Sequence, residues 1–316
     1  LFAVMHALKD KGVAIVYISH RMEEVFAHCA TITVMRDGYA ISSKPTRETN
    51  MEQVVRDMVG RSITEYYPGR TNDPGEIVLE VKNFCQDGLF SNISFNLRQG
   101  EILGVAGLMG AGRTEIMRAL FGVDSCKCGE IYLHGKKVCI KKPEDAIKAG
   151  IGFITENRKS EGLILDFSIS RNIALPSVDT FAKRSVINVK NETAFSAALS
   201  QKLGVRAASI DLEAGALSGG NQQKVVIAKW IGMNPSIIIM DEPTRGIDVG
   251  AKRDIYDLMN ELTSQGVAII MVSSELPEVI GMSDRILVIH EGKIAGELDH
   301  EEATQEKIIT LATGGQ

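Results

Sequence analysis

Short apolar runs alternate with longer amphipathic stretches along most of this chain. The runs at Val13–Ile18, Ile77–Val81, Ile93–Leu97, Glu101–Ala106, Ile131–Leu133, Gly152–Thr155, Ser236–Met240, Val267–Val272 and Arg285–His290 predict strands. Apolar residues recur at helical spacing over Leu1–Leu8, Thr114–Phe121, Glu192–Leu203, Asn221–Gly232, Lys252–Ser264 and Leu276–Gly281. Strands alternating with helices predict an α/β core with a mostly parallel sheet. The stretch from about 160 to 232 is helix-rich and interrupts the alternation, so it predicts a separate helical subdomain.

The two ends of the chain resemble each other at an offset of 254 residues, the distance from Gly12 to Gly266. At that offset Gly12-Val13-Ala14-Ile15 falls on Gly266-Val267-Ala268-Ile269, Ser19 on Ser273, and Glu24-Val25 on Glu278-Val279. Val34 falls on Val288, Gly38 on Gly292 and Gly60 on Gly314, with no gap. A register held this long predicts duplication rather than chance. Residues 1–60 then read as the tail of one domain, and 77–316 as its whole copy. The linker, 61–76, holds the Pro, Gly and Asn cluster Tyr66-Tyr67-Pro68-Gly69-Arg70-Thr71-Asn72-Asp73-Pro74-Gly75. The chain opens inside an element and without a methionine, so a longer parent protein is expected.

Composition narrows the reading. The 316 residues are 44% hydrophobic and 24% charged, as in ordinary globular domains. A net charge of −5 gives no electrostatic case for nucleic acid as a partner. No apolar run approaches the roughly 20 residues of a membrane span, so membrane association is expected to go through a partner. The five cysteines, at 29, 85, 126, 128 and 139, lack zinc-site spacing, and their odd number suits a reducing compartment.

Three segments carry chemistry. Gly107-Leu108-Met109-Gly110-Ala111-Gly112-Arg113-Thr114 follows a strand and opens a helix, the context of a phosphate loop. Backbone N–H groups from Gly107, Gly110, Ala111 and Gly112 would cradle phosphates, and Thr114 would offer a Mg²⁺ ligand. Arg113 stands where the template has lysine. Its wide planar fork cannot replace a compact ammonium between phosphate oxygens, so a site that binds nucleotide but hydrolyses it poorly is expected. The plain alternative is a glycine-rich turn without a ligand. Next, the apolar strand Ile237–Met240 ends in Asp241-Glu242-Pro243-Thr244: one carboxylate for a metal, one for a water. The alternative is a pair of strand-end carboxylates capping the next helix. Third, Leu217-Ser218-Gly219-Gly220-Asn221 opens a helix with small residues and a hydroxyl, which suits a phosphate at a helix start. Alone it would read as a turn before a helix cap.

In this order, the three segments resemble the nucleotide-binding domain of the ABC ATPases, and more narrowly the sugar importers with two fused domains. The string Thr155-Glu156-Asn157-Arg158-Lys159 and the run from Asp241 to Lys252 add to that likeness, which covers essentially the whole chain. It implies a P-loop NTPase core with a mostly parallel sheet, an antiparallel β subdomain and a helical subdomain. It implies ATP and Mg²⁺ as cofactors, Asp241 and Thr114 at the metal, and Glu242 as general base. Glu156 takes the place of the family's glutamine, and Arg245-Gly246-Ile247-Asp248 that of the D-loop. The family's catalytic histidine maps to His20 in the first segment and to Ser274 in the second. Paired head to tail, each nucleotide would lie between one phosphate loop and the opposite signature. Ser218, Gly219, Gly220 and Asn221 would thus complete the first domain's competent site, and Arg113, Glu156 and Ser274 would mark a degenerate one.

The implied role is import of a monosaccharide, ribose in the nearest likeness, at the cytoplasmic face of the membrane. The implied partners are integral permease subunits, an extracytoplasmic sugar-binding protein and the first nucleotide-binding domain of the same protein. Two other readings are an ABC protein acting on ribosomes or DNA, and a regulatory nucleotide-binding module. The net charge and the lack of a basic segment weigh against the first of these, while Arg113, Glu156 and Ser274 favour the second.

Overall fold

The computed structural model describes residues 2–19, 22–36, 39–59, 67–69, 73–183 and 186–315. It separates into two compact units, Leu1–Tyr67 with Asp248–Arg253, and Pro68–Ile247 with Asp254–Gln316.

In the first unit helices Phe2–Asp10, Met22–His28 and Met51–Val59 accompany an antiparallel pair of strands, Thr31–Arg36 and Tyr39–Pro45. The core is Val25, Ile32, Val34 and Val54, with Met22, Phe26 and Cys29 against it. Each of these elements has a counterpart in the second unit at the sequence offset. Helix Leu276–Met282 matches 22–28, and strands Arg285–His290 and Lys293–Asp299 match 31–36 and 39–45. The bulge after Val34 recurs after Val288. The four core residues recur as Val279, Ile286, Val288 and Ile308. Identical spacing of apolar positions has produced the same small core twice.

Val13–Ile18 is the exception. The sequence predicts a strand there, but the structure has no regular element, and Val16 and Ile18 are 90% and 92% exposed. The counterpart Ala268–Val272 is buried because it pairs on both sides, with Ile102–Gly107 and Ile237–Asp241. Among the described residues the two strands of the first unit pair with each other and neither pairs with Val13–Ile18. A ladder needs a strand alongside, and an apolar run without one does not become a strand.

The second unit is built on a six-stranded sheet in the order Lys293–Asp299, Arg285–His290, Ile102–Gly107, Ala268–Val272, Ile237–Asp241, Ile151–Ile154. Only the first of these runs antiparallel. Strands Ile237–Asp241 and Ala268–Val272 are buried along their whole length, which is why they read as unbroken apolar runs rather than alternations. A four-stranded antiparallel sheet, ordered Phe90–Arg98, Ile77–Gln86, Cys128–Leu133, Lys136–Val138, forms a second layer. Its register sets Cys85 opposite Cys128, and the two form a disulfide, with Cys29, Cys126 and Cys139 free. The odd cysteine number pointed away from such a bond, because the register that makes it passes through a bulge. Helices Ile169–Ala174, Val189–Lys202 and Gly219–Ile231 make the helical part, packed through residues such as Ile169, Ile173 and Val225.

Glu101 and Arg285 tie the two sheets together. The Glu101 carboxylate is fully buried and accepts from Arg285 Nε and from the Arg98 N–H, both at 2.6 Å. Arg285 also donates to the carbonyl and side chain of Asn96 in the antiparallel sheet. Arg285 also pairs with Glu297, so Glu101→Ala leaves it one carboxylate partner but removes the acceptor of the Arg98 N–H, and is expected to cost about 2 kcal/mol of unfolding free energy. The double variant Glu101→Leu, Arg285→Met is expected to cost less than the single one, in urea titrations of both.

Candidate functional site

The sheet's strands end together, and their ends carry the site. Gly107-Leu108-Met109-Gly110-Ala111-Gly112 links strand Ile102–Gly107 to helix Arg113–Phe121. The glycines have separate reasons to be there. A Cβ on Gly107 would stand 2.4 Å from the Ile289 carbonyl oxygen, so only glycine lets the loop approach the neighbouring strand. Gly110 has φ +77° and nothing within 4 Å of a Cβ, so its backbone faces open space in a left-handed turn.

Thr114 and Asp241 line one cavity of about 260 Å³ with Glu156, Asn157, Ser160 and Glu161. Asp241 is 1% exposed, and neither carboxylate oxygen has a hydrogen-bond partner. Burial pushes its pKa up to about 6, against the pull of the nearby Thr114 hydroxyl and the Arg113 charge. A buried carboxylate without a donor, beside a hydroxyl and an open volume, fits a hard cation such as Mg²⁺, which takes oxygen ligands and keeps several waters.

Glu242 is differently placed. Its φ of +49° is rare for a residue with a side chain, and its N–H is held by the Val272 carbonyl at 2.8 Å. One carboxylate oxygen accepts from Ser274 Oγ at 3.1 Å, and the other lies 4.0 Å from Arg113 Nη2. Burial raises its pKa to about 6 as well, opposed by Ser274 and Arg113. Arg113 is pinned by a second bond, from Nη1 to the Ser273 carbonyl at 2.8 Å. Beneath these groups Glu278 accepts from Thr244 Oγ1 at 2.7 Å and from Ser273 Oγ.

The structure therefore brings Gly107, Gly110, Ala111, Gly112, Arg113, Thr114, Glu156, Asp241, Glu242 and Ser274 to one end of the sheet. It does not bring the Ser218 segment to their cavity. Ser218, Gly219, Gly220 and Asn221 begin helix Gly219–Ile231, and none of the four lines the cavity. Asn221 is committed locally, donating to Ser218 Oγ and accepting from the Arg206 N–H. His20 lies outside the described residues. Sequence reasoning missed Arg118 and Glu161 at the cavity wall, and the pairing of Glu156 with Arg245. Arg118 had a signal: it follows Thr114 by four residues, on the same helix face.

The family model for ABC transporters matches residues 90–245. Curated relatives named ribose import ATP-binding protein RbsA are 61% identical in Bacillus subtilis and 60% in Bacillus licheniformis, each over 316 residues. One from Lactococcus lactis subsp. cremoris is 58% identical. All three alignments take in 100% of this chain and 64% of the relative, so the chain spans under two thirds of those proteins' length. Among solved structures, an ATP-binding cassette of an ABC transporter in its ADP conformation superposes with a TM-score of 0.63 at 22% identity, covering 75% of this chain and 99% of that one. Another, from Clostridium perfringens and described as part of the ABC transporter complex cbiONQ, gives 0.60 at 20%, covering 74% and 93%. At these identities the likeness is one of fold alone, that of the ATP-binding cassettes.

Asp241 binds a proton more tightly folded, at about 6, than its ordinary 3.8. Its ionisation therefore lowers stability as pH rises from about 4 to about 6. In chelator-treated protein, Asp241→Asn is expected to raise unfolding free energy by up to about 3 kcal/mol at roughly pH 7.5, and by almost nothing near pH 4. Thermal melts at the two pH values check this; an equal effect at both would refute the burial argument.

Proposed function

We propose, for a chain that carries the ATP-binding domain of the ABC transporter family, that it serves an ATP-driven importer of a monosaccharide, with ribose favoured by its relatives' names. The protein sits at the cytoplasmic face of the membrane and drives integral permease subunits fed by an extracytoplasmic sugar-binding protein. No helix among the described residues is long and apolar enough to cross a membrane, which agrees with a subunit that acts through a permease.

Residues 1–60 are the tail of a first nucleotide-binding domain, 61–76 a linker and 77–316 the second domain. The recurrence of helix, hairpin, bulge and four-residue core at one offset supports this division. Exposed Val13–Ile18 then corresponds to the strand that lies mid-sheet in the complete copy.

In this reading, backbone N–H groups from Gly107 to Thr114 hold the phosphates of ATP. Thr114 and Asp241 hold Mg²⁺, with Glu156 facing the same cavity. The ion, when bound, neutralises phosphate charge. Glu242 is the residue placed to polarise water, and its engagement by both Arg113 and Ser274 is the observation that carries the proposal. Ser274 and Arg113 both pull the Glu242 pKa down against the burial that raises it, so they make it a weaker base toward water than burial alone would. This pocket therefore keeps ATP rather than turning it over. The segment Ser218–Asn221 faces outward and completes the first domain's competent site, where His20 acts.

The test is a comparison in the full-length protein reconstituted with its permease. Glu242→Gln is expected to leave ATPase activity within about twofold, whereas Ser218→Arg, which fills the facing site, is expected to abolish it. The opposite ranking would show that hydrolysis takes place at the pocket described here.

A further inference from the structure

The loop that follows strand Ile151–Ile154 is fastened at both ends. Near its start the Arg158 guanidinium donates from Nη1 to the Arg245 carbonyl at 2.8 Å and from Nη2 to the Gly246 carbonyl at 3.2 Å. The same Nη2 stands 2.8 Å from where a Cβ on Gly219 would be, so Gly219 makes room for a guanidinium rather than a side chain of its own. At the far end Lys229, only 9% exposed, donates from Nζ to the Gly162 carbonyl at 3.0 Å. Gly219 and Lys229 belong to one helix, so the loop lies along it. Between the two fastenings come Ser160 and Glu161, with Asn157 just before them, all on the wall of the cavity that Thr114 and Asp241 line.

Among the described residues neither cation is paired with a carboxylate; both donate to backbone carbonyls, at some desolvation cost, and Lys229 Nζ also lies 5.3 Å from the Trp230 ring centre. Burial lowers the pKa of Arg158 from its ordinary value, and that of Lys229 to about 8. Apolar side chains would hold a helix to a loop with less penalty. What a forked cation adds is direction: two donors at a fixed angle set two successive carbonyls in place. Those carbonyls belong to the segment after Asp241-Glu242, and the neighbouring backbone is the start of the Ser218 helix.

We infer that Arg158 is a positioning residue. It locks the Arg245–Gly246 backbone and the Ser218–Gly220 helix start to the wall of this chain's own nucleotide cavity. The inference rests on the head-to-tail arrangement proposed above.

The experiment uses the full-length protein with its permease, varying ATP. Arg158→Ala is expected to lower kcat about tenfold while KM for ATP stays within about twofold, because an aligned signature is lost but no ligand of the nucleotide is. Arg158→Lys is expected to recover part of kcat, since one ammonium reaches one carbonyl but not both. Hydrogen exchange of amides 217–222 is expected to quicken in Arg158→Ala and less so in Arg158→Lys. A rise in KM with kcat unchanged, or no change in either, would overturn the assignment. Should Arg158→Ala fail to fold, Arg158→Lys decides alone: kcat equal to that of the unaltered protein rejects the role. Ser218→Arg in the same assay tells the two ideas apart, since turnover surviving that change removes the head-to-tail reading itself.

Discussion

Two carboxylates at the buried end of one apolar strand constrain everything around them. Strand Ile237–Asp241 is buried at every position, and the chain leaves it through Asp241 and Glu242 without first reaching water. An ionised group in such a place must find a partner or take a proton. Both carboxyls are accordingly pushed to about 6, mainly by burial. Their neighbours then separate them. Asp241 has no donor and opens on a cavity, so it can meet a cation from outside. Glu242 turns back on a left-handed backbone and meets Ser274 and Arg113 from within.

Arg113 joins two features that the sequence presents as separate. It belongs to the phosphate loop, yet its head reaches the Ser273 carbonyl and the Glu242 carboxylate, beyond the ends of two neighbouring strands. A lysine there would be a single compact charge. The guanidinium is broad enough to bond one group while facing another. One substitution thus turns the loop's cation toward Glu242, the carboxylate proposed as general base, and gives it a counter-ion. Ser274 adds a donor to the same carboxylate, so the departures at 113 and 274 act on one target.

The sheet was legible because its inner strands are buried on both faces, and unbroken apolar runs need no further context to be recognised. The site was legible for a related reason: loops that bind phosphate at strand ends need glycine at fixed places, and Gly107 and Gly110 are where the pattern asks for them. Val13–Ile18 shows the limit. Its pattern equals that of Val267–Val272, but pairing is a property of neighbours, and the described strands of the first unit do not pair with it. Arg158 and Glu161 were hidden because a charge in a loop has no period. Only the fold shows that Arg158 reaches residues 87 positions away. The Cys85–Cys128 bond likewise depends on a bulged register between two strands 43 residues apart in sequence, which spacing alone does not reveal.

The helix start at Ser218 acquires its meaning from what it lacks. Helix Gly219–Ile231 begins without a side-chain cap, and the Ser218 hydroxyl accepts only from Asn221 among the bonds described for it. The first N–H groups of a helix need acceptors, and small residues at that point leave space for one. The chain's own cavity cannot supply it, because none of these residues borders that space. An anion held by another domain can. The same string that would complete a facing site is braced from behind by Arg158, whose loop forms the wall of the local cavity. Were the pocket to keep its nucleotide, as proposed above, the wall that carries this brace would stay in place through a turnover at the facing site.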